Sequence, residues 1–289
     1  MERLLLVAVL TALIHAINTM AYGVRLVGVR TQRLATAISL FNIVFLIASG
    51  ANMVQAPLLS SIVEQVINTA LRTSSPGGNV FSNPVYQQGL QSLAADLRSV
   101  IAAASLGTLA GGILIPPFVR ILSRAVLFFD EVGSVPRMLA AAVFSPRRTL
   151  RFLRQVQLPR PVLLLRGTAR ERRRIPATFL LLNVVVTGIY TIGVLSALYA
   201  GALFPEFRGT AILLSGIVNG IATVLIATVV DPTAARITDQ AVRGVRPEKD
   251  VQTMVVYLTG TRFLGTIFAQ ALLLPAAELI KTVAVWIAP

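Results

Sequence analysis

Apolar residues fall along this chain in six long blocks, separated by polar or basic stretches. They follow neither the alternation of a half-buried strand nor the one-sided stripe of a soluble amphipathic helix. A hydrocarbon core about 30 Å thick is crossed by about 20 helical residues. The blocks near Leu4–Val24, Leu34–Val54, Ser99–Val119, Ala177–Leu203, Thr210–Val230 and Val251–Leu274 meet that length. The pattern predicts an all-α polytopic membrane protein with about six transmembrane helices, forming one integral membrane domain over 1–289.

The first block has a second reading as a signal peptide, with Thr19-Met20-Ala21 as a cleavage site. Its n-region is only Met-Glu-Arg, while Arg25, Arg30 and Arg33 follow the block. That charge order favours a retained helix with its N-terminus outside. The connecting loops give the orientation. Loops one, three and five carry twenty basic residues against three in loops two and four. Cytoplasmic loops are the basic ones, so odd loops are expected inside and both termini outside a bacterial inner membrane. The third loop, 120–175, holds most of this charge; its stretches Ala125–Phe129, Leu139–Phe144 and Arg147–Arg154 read as interfacial helices on anionic lipid. The second, 56–98, is expected as an extracytoplasmic loop.

Composition supports the membrane reading. Apolar residues make up 55% of the chain and charged ones 13%, where soluble domains carry about 25% charge. The net charge of +14 alone would suit a nucleic-acid binder, but its concentration between two membrane blocks suits topology better. Absence of cysteine excludes disulfides and thiol chemistry, and a single histidine, His15, cannot build a metal cage. Neither cofactor nor metal is expected.

Polar side chains inside the blocks are the informative exceptions, because such groups are expensive in lipid and face a bundle interior or cavity. Arg262 lies about eleven residues into the last block, too deep to snorkel easily. An ion pair would explain it structurally; an anionic substrate would explain it functionally. His15 with Asn18, and Asn52 with Gln55, share helix faces at i,i+3. Asn42, Asn183, Thr187, Tyr190 and Asn219 add further polar groups. Singly, each reads best as glue between helices. Together they suggest one shared hydrophilic cavity. Arg25, Arg30 and Arg33 are either topology signals or a cationic rim at the cytoplasmic mouth. Asp231, before Pro232, reads as a helix N-cap or, less readily, a gate. Pro275 is expected to break the last helix, sending the segment to Trp286 along the outer interface or into a second half-helix, with Glu278 and Lys281 paired at i,i+3.

Leu106-Gly107-Thr108 before Pro116, and Leu264-Gly265-Thr266 before Pro275, hint at an internal repeat. Halves 1–120 and 175–289, with three spans each, would then be inverted in the membrane. Chance is the competing explanation, since these residue types are common in membrane helices.

The chain has no phosphate-binding loop, zinc-protease motif, serviceable Ser/His/Asp set or intramembrane Asp pair, so an enzyme is disfavoured and transport favoured by elimination. Several segments carry a resemblance. His15-Ala16-Ile17-Asn18-Thr19-Met20-Ala21-Tyr22-Gly23-Val24-Arg25, Asn52-Met53-Val54-Gln55-Ala56-Pro57-Leu58-Leu59, Ser215-Gly216-Ile217-Val218-Asn219-Gly220 and Gly260-Thr261-Arg262-Phe263-Leu264-Gly265-Thr266 resemble the alternate lipid II flippase family, Amj. A departure is expected at Ala48-Ser49-Gly50-Ala51, where the family often carries Ser-Arg.

The resemblance implies a six-span protein that moves undecaprenyl-diphosphate-linked peptidoglycan precursor from the inner to the outer leaflet. Alternating access between two three-helix halves, or within a homodimer, is the expected mode. The substrate set inferred from the residues is Arg262, Arg25, Arg30, Arg33, His15, Asn18, Asn52, Gln55 and Asn219, with Asp231, Tyr190 and Pro275 as gating or structural positions. Two rivals remain: export or scrambling of another polyprenyl-linked glycan, and a non-transporting scaffold for cell-wall enzymes.

Overall fold

The computed structural model describes residues 2–74, 80–137, 140 and 175–287. Every regular element among them is helical: α1 (Glu2–Thr31), α2 (Leu34–Thr73), α3 (Pro84–Val132), α4 (Ala177–Leu203), the short α5 (Arg208–Leu213), α6 (Ser215–Leu225) and α7 (Asp231–Val242), and α8 (Glu248–Ile287). Six segments are long and apolar enough to cross a membrane, the fifth being Pro205–Val242 in pieces. Each coincides with one expected block.

Glycine sets the tightest packing. A Cβ on Gly107 of α3 would lie 2.1 Å from the Ala12 carbonyl oxygen of α1, and one on Gly111 2.5 Å from that of Ala16. Backbones approach so closely only where a small residue recurs every fourth position. In the second half, a Cβ on Gly265 of α8 would lie 2.6 Å from Thr187 Cβ and 2.7 Å from the Val184 carbonyl oxygen of α4. The glycine of each Leu-Gly-Thr triplet thus clasps its helix to an earlier one, α3 to α1 and α8 to α4.

Two apolar clusters lie at opposite ends of the bundle. At the hairpin end, Leu59, Val63 and Ile67 of α2 meet Tyr86, Leu93 and Leu97 of α3, with Leu198 of α4 and Leu273 and Ile280 of α8. The Tyr86 hydroxyl donates to the Ala202 carbonyl there. At the arginine end, Val24 and Val27 of α1 pack with Phe41, Val119, Phe179, Ile237 and Leu258.

The spans are longer than expected. At 1.5 Å per residue, the 40 residues of α2 and 49 of α3 reach about 60 and 74 Å, beyond a core of about 30 Å. The stretch 56–98, expected as a loop, is therefore mostly a helical hairpin capped by Asn83, whose side chain accepts from the Val85 N–H at 2.9 Å. Pro57 lies inside α2, Pro116 and Pro117 inside α3, and Pro275 inside α8. The expected break at Pro275 does not occur. A proline costs one helical hydrogen bond but its φ suits a helix, and neighbouring helices in a membrane bundle offset the loss. Ala277, Ile280 and Ala284 beyond it are buried in the hairpin cluster, which supports α8 as one continuous helix. Glu278 and Lys281 do pair, at 3.2 Å, and Trp286 is exposed.

Ala125–Phe129 belongs to α3 and not to a loop helix. Leu139–Phe144, apart from residue 140, and Arg147–Arg154 lie outside the described residues. The fifth span is interrupted at Leu214 and widens into a π turn over Ile226–Val230. Pro232 accounts for the latter: its ring would clash with the carbonyl four residues back, and a wider turn relieves that clash. Asp231 therefore sits in continuous helical backbone and caps nothing with its side chain.

Candidate functional site

Between the two apolar clusters lies a cavity of about 170 Å³. Thr11, Ile14, His15 and Asn18 come from α1; Asn52, Gln55, Ala56 and Leu59 from α2; Val100, Ile101 and Ala104 from α3. The second half supplies Tyr190, Thr191, Val194 and Leu195 from α4, Asn219 from α6 and Arg262 from α8. All six membrane segments contribute.

The sequence places these groups through helical periodicity. Thr11, His15 and Asn18 follow one another at i,i+4 and i,i+3, one face of α1. Asn52, Gln55 and Leu59 do the same on α2. Gln55 is buried and donates to the Thr11 hydroxyl, which itself donates to the Val7 carbonyl at 2.7 Å. Asn219 reaches the cavity because Gly193 leaves room: a Cβ there would lie 2.0 Å from Asn219 Oδ1.

Among the described residues, four buried polar side-chain atoms have no hydrogen-bond partner: His15 Nδ1, Asn219 Oδ1, Arg262 Nε and Ser123 Oγ. The first three belong to residues of this one cavity. Native proteins leave few such atoms, and each calls for a reason. Arg262 is the most costly. It sits 14 residues into α8, about 21 Å along the axis, where an arginine costs about 2.5–3.5 kcal/mol on membrane-insertion scales. No carboxylate among the described residues pairs with it. What the wall offers is a guanidinium flanked by an imidazole and amides, a donor-rich surface suited to phosphate oxygens.

Toward the arginine end, outside the residues that line the cavity, lies a polar network. Tyr22 of α1 donates to Asn183 Oδ1 at 3.1 Å. Asn183 of α4 in turn donates to the Leu258 carbonyl at 3.1 Å and the Thr261 hydroxyl at 2.8 Å on α8. Further along α1, Arg25 meets Asp231 at 2.9 Å, Arg30 meets Glu248 at 2.8 Å, and Arg33 meets Asp130. The end of α1 is thereby tied to α7, α8 and α3.

The site residues expected from sequence thus separate into two groups. His15, Asn18, Asn52, Gln55, Asn219, Arg262 and Tyr190 converge on the cavity. Arg25, Arg30 and Arg33 do not line it; each is engaged with a carboxylate, and Asp231 is one of those carboxylates. Pro275 also lies away from it. Sequence reasoning missed Thr11 and Thr191 as lining residues, since threonine is too common in membrane helices to stand out. It named Asn183 only as one amide among several; the partners that make it a link between α1, α4 and α8 lie 75 to 161 positions away.

A family model described as Amj, alternate to MurJ, matches residues 10–284. The chain is 34% identical over 274 residues to the protein named lipid II flippase Amj from Bacillus subtilis (strain 168), covering 95% of this chain and 94% of the relative. No solved structure matches significantly.

Proposed function

The chain belongs to the Amj family, and from that membership we propose that it moves lipid II, an undecaprenyl-diphosphate-linked disaccharide-peptide, from the inner to the outer leaflet of the bacterial plasma membrane. The observation that carries the mechanism is an arginine in mid-span with no carboxylate partner among the described residues, on the wall of a cavity to which every membrane segment contributes. Phosphate oxygens crossing the core need donors in place of water. Arg262, with His15, Asn18, Asn52 and Asn219 around it, supplies a charge-assisted donor and neutral ones at the depth where hydration is lost.

Size argues for motion. A cavity of about 170 Å³ has room for a small polar group such as a diphosphate and not for a disaccharide with its peptide. The headgroup passes only if the helices part. The two half-assemblies, α1–α3 and α4–α8, each held by its glycine contact, are the units proposed to move, as inverted halves in alternating access. The arginine end is taken as cytoplasmic, and its three ion pairs as the latch that opens to admit the headgroup. With the cell interior negative, each anionic charge moved outward gains about 2.3 kcal/mol per 100 mV. The reading therefore invokes no covalent chemistry and no nucleotide.

The test is rescue of a strain lacking its lipid II flippases, read as outer-leaflet precursor accessible to an added toxin. Wild type restores that signal and Arg262→Ala, at equal membrane abundance, does not. Full rescue by Arg262→Ala removes the proposed substrate role. Collapsing the potential in proteoliposomes should slow flipping; an unchanged rate discards the driving force.

A further inference from the structure

The polar groups on the cavity wall differ in whether their charge can change. Arginine is a permanent cation and amides carry no charge. Imidazole is the side chain that gains or loses a proton near neutrality. Arg262 supplies the first kind, Asn18, Asn52, Gln55 and Asn219 the second, and His15 the third.

His15 and Arg262 are also the two basic groups on this wall with a buried nitrogen left without a hydrogen-bond partner, Nδ1 of one and Nε of the other. Arg262 is the charge that acts on His15. The other titratable group facing the cavity is the Tyr190 phenol of α4, while α2, α3 and α6 present amides and apolar side chains to it. The carboxylates that meet α1 do so at Arg25, Arg30 and Arg33, near its far end.

Two like charges are costly in a chamber poor in water. With the cavity empty, a proton on His15 would set an imidazolium against the guanidinium, with no carboxylate among the described lining residues to offset the pair. A diphosphate reverses that balance. Its negative charge exceeds what one guanidinium neutralises, and the excess draws a proton onto the imidazole. The ring nitrogen that lacked a partner then has a phosphate oxygen to donate to.

We infer that His15 is a proton-binding site coupled to the headgroup, taking up a proton as the diphosphate settles between it and Arg262. The proton comes from water on the side where the headgroup enters and returns to water where it leaves. No other bond forms or breaks. The diphosphate thus crosses with more of its charge cancelled than Arg262 alone provides. The inference rests on the transport reading of the same cavity, and the experiment separates the two.

The chain has a single histidine, so isotopic labelling of histidine nitrogen reports on His15 alone. NMR of the ring nitrogens in nanodiscs, at about pH 7, distinguishes imidazole from imidazolium. The probe is a short isoprenyl diphosphate esterified at its far end with N-acetylglucosamine, whose own charge does not vary across the imidazole range. Adding it should convert the ring from neutral to charged. Because the charged ring favours the anion, affinity should be highest in acid. It should fall about tenfold from about pH 5 to about pH 8, the loss of one charge-assisted contact. His15→Gln should bind with the weaker affinity throughout. A ring whose charge is the same with and without the probe overturns the proton site, as does a pH profile that survives His15→Gln. The ring signal is read on wild-type protein, so it decides the matter even where the substitution unfolds the chain. If lipid II is still flipped when the ring fails to respond, transport stands and the proton site alone falls. If wild-type protein neither binds the probe nor flips lipid II, both fall.

Discussion

Arginine occurs in two settings in this bundle, and the contrast separates structure from function. Arg25, Arg30 and Arg33 sit at one end of α1 and each meets a carboxylate. Arg262 sits well inside α8, with a buried Nε that has no hydrogen-bond partner among the described residues. The first three are partly exposed, where an ion pair contributes about 0–1 kcal/mol and mainly positions helices. The fourth is at a depth where its charge is expensive and uncompensated. A cation with a partner holds the protein together. A cation without one is available to something else.

The largest effect should come from removing the unpaired charge. Arg262→Gln is expected to lower flipping in proteoliposomes about hundredfold, the loss of roughly 3 kcal/mol of charge-assisted bonding. The melting temperature in detergent should stay level or rise, since a buried charge is gone. A large fall in melting temperature would mean that Arg262 is structural after all and would erase the contrast.

Next in size is the latch. Arg25→Asp and Asp231→Arg should each slow flipping about tenfold, because like charges at the closed end cost on the order of 1–2 kcal/mol. The double variant should recover most of the rate, and no recovery would remove the pair from the gating cycle. A smaller effect is expected from Gly193→Ala. Its methyl group would displace the Asn219 side chain, a flexible end and not a backbone, so flipping should fall a few-fold with little loss of stability. Melting as severe as that of a core overpacking variant would contradict it. Smallest is Arg30→Gln: its half-exposed pair with Glu248 should cost less than about 1 kcal/mol. In a melting series, any larger drop would move Arg30 into the structural core of the arginine end.

Much of the site was legible in sequence because membrane burial makes polar residues conspicuous. His15, Asn18, Asn52, Gln55, Asn219 and Arg262 stood out as polar positions in apolar blocks, and all line one cavity. Arg25, Arg30 and Arg33, in and just past the last turns of α1, stood out equally, yet they do not line the cavity. Their carboxylates, Asp130, Asp231 and Glu248, lie about 100 to 220 positions away, and no local pattern links them. Proline misled at Pro275. The rule that proline ends a helix holds where water competes for the freed backbone groups, and here packed neighbours override it.

What the chain's own order of residues determined is the number of crossings and the depth of each polar group. Hydrophobic length must match the bilayer, and charge is excluded from it wherever it lies in the fold. What only the tertiary structure decided is which of those polar groups meet. Helix rotation depends on contacts such as Gly107 against Ala12 and Gly265 against Thr187. Those contacts turned Arg262 toward the cavity and Arg25 toward Asp231, and partner choice of that kind is a property of packing between distant segments, not of any stretch read alone.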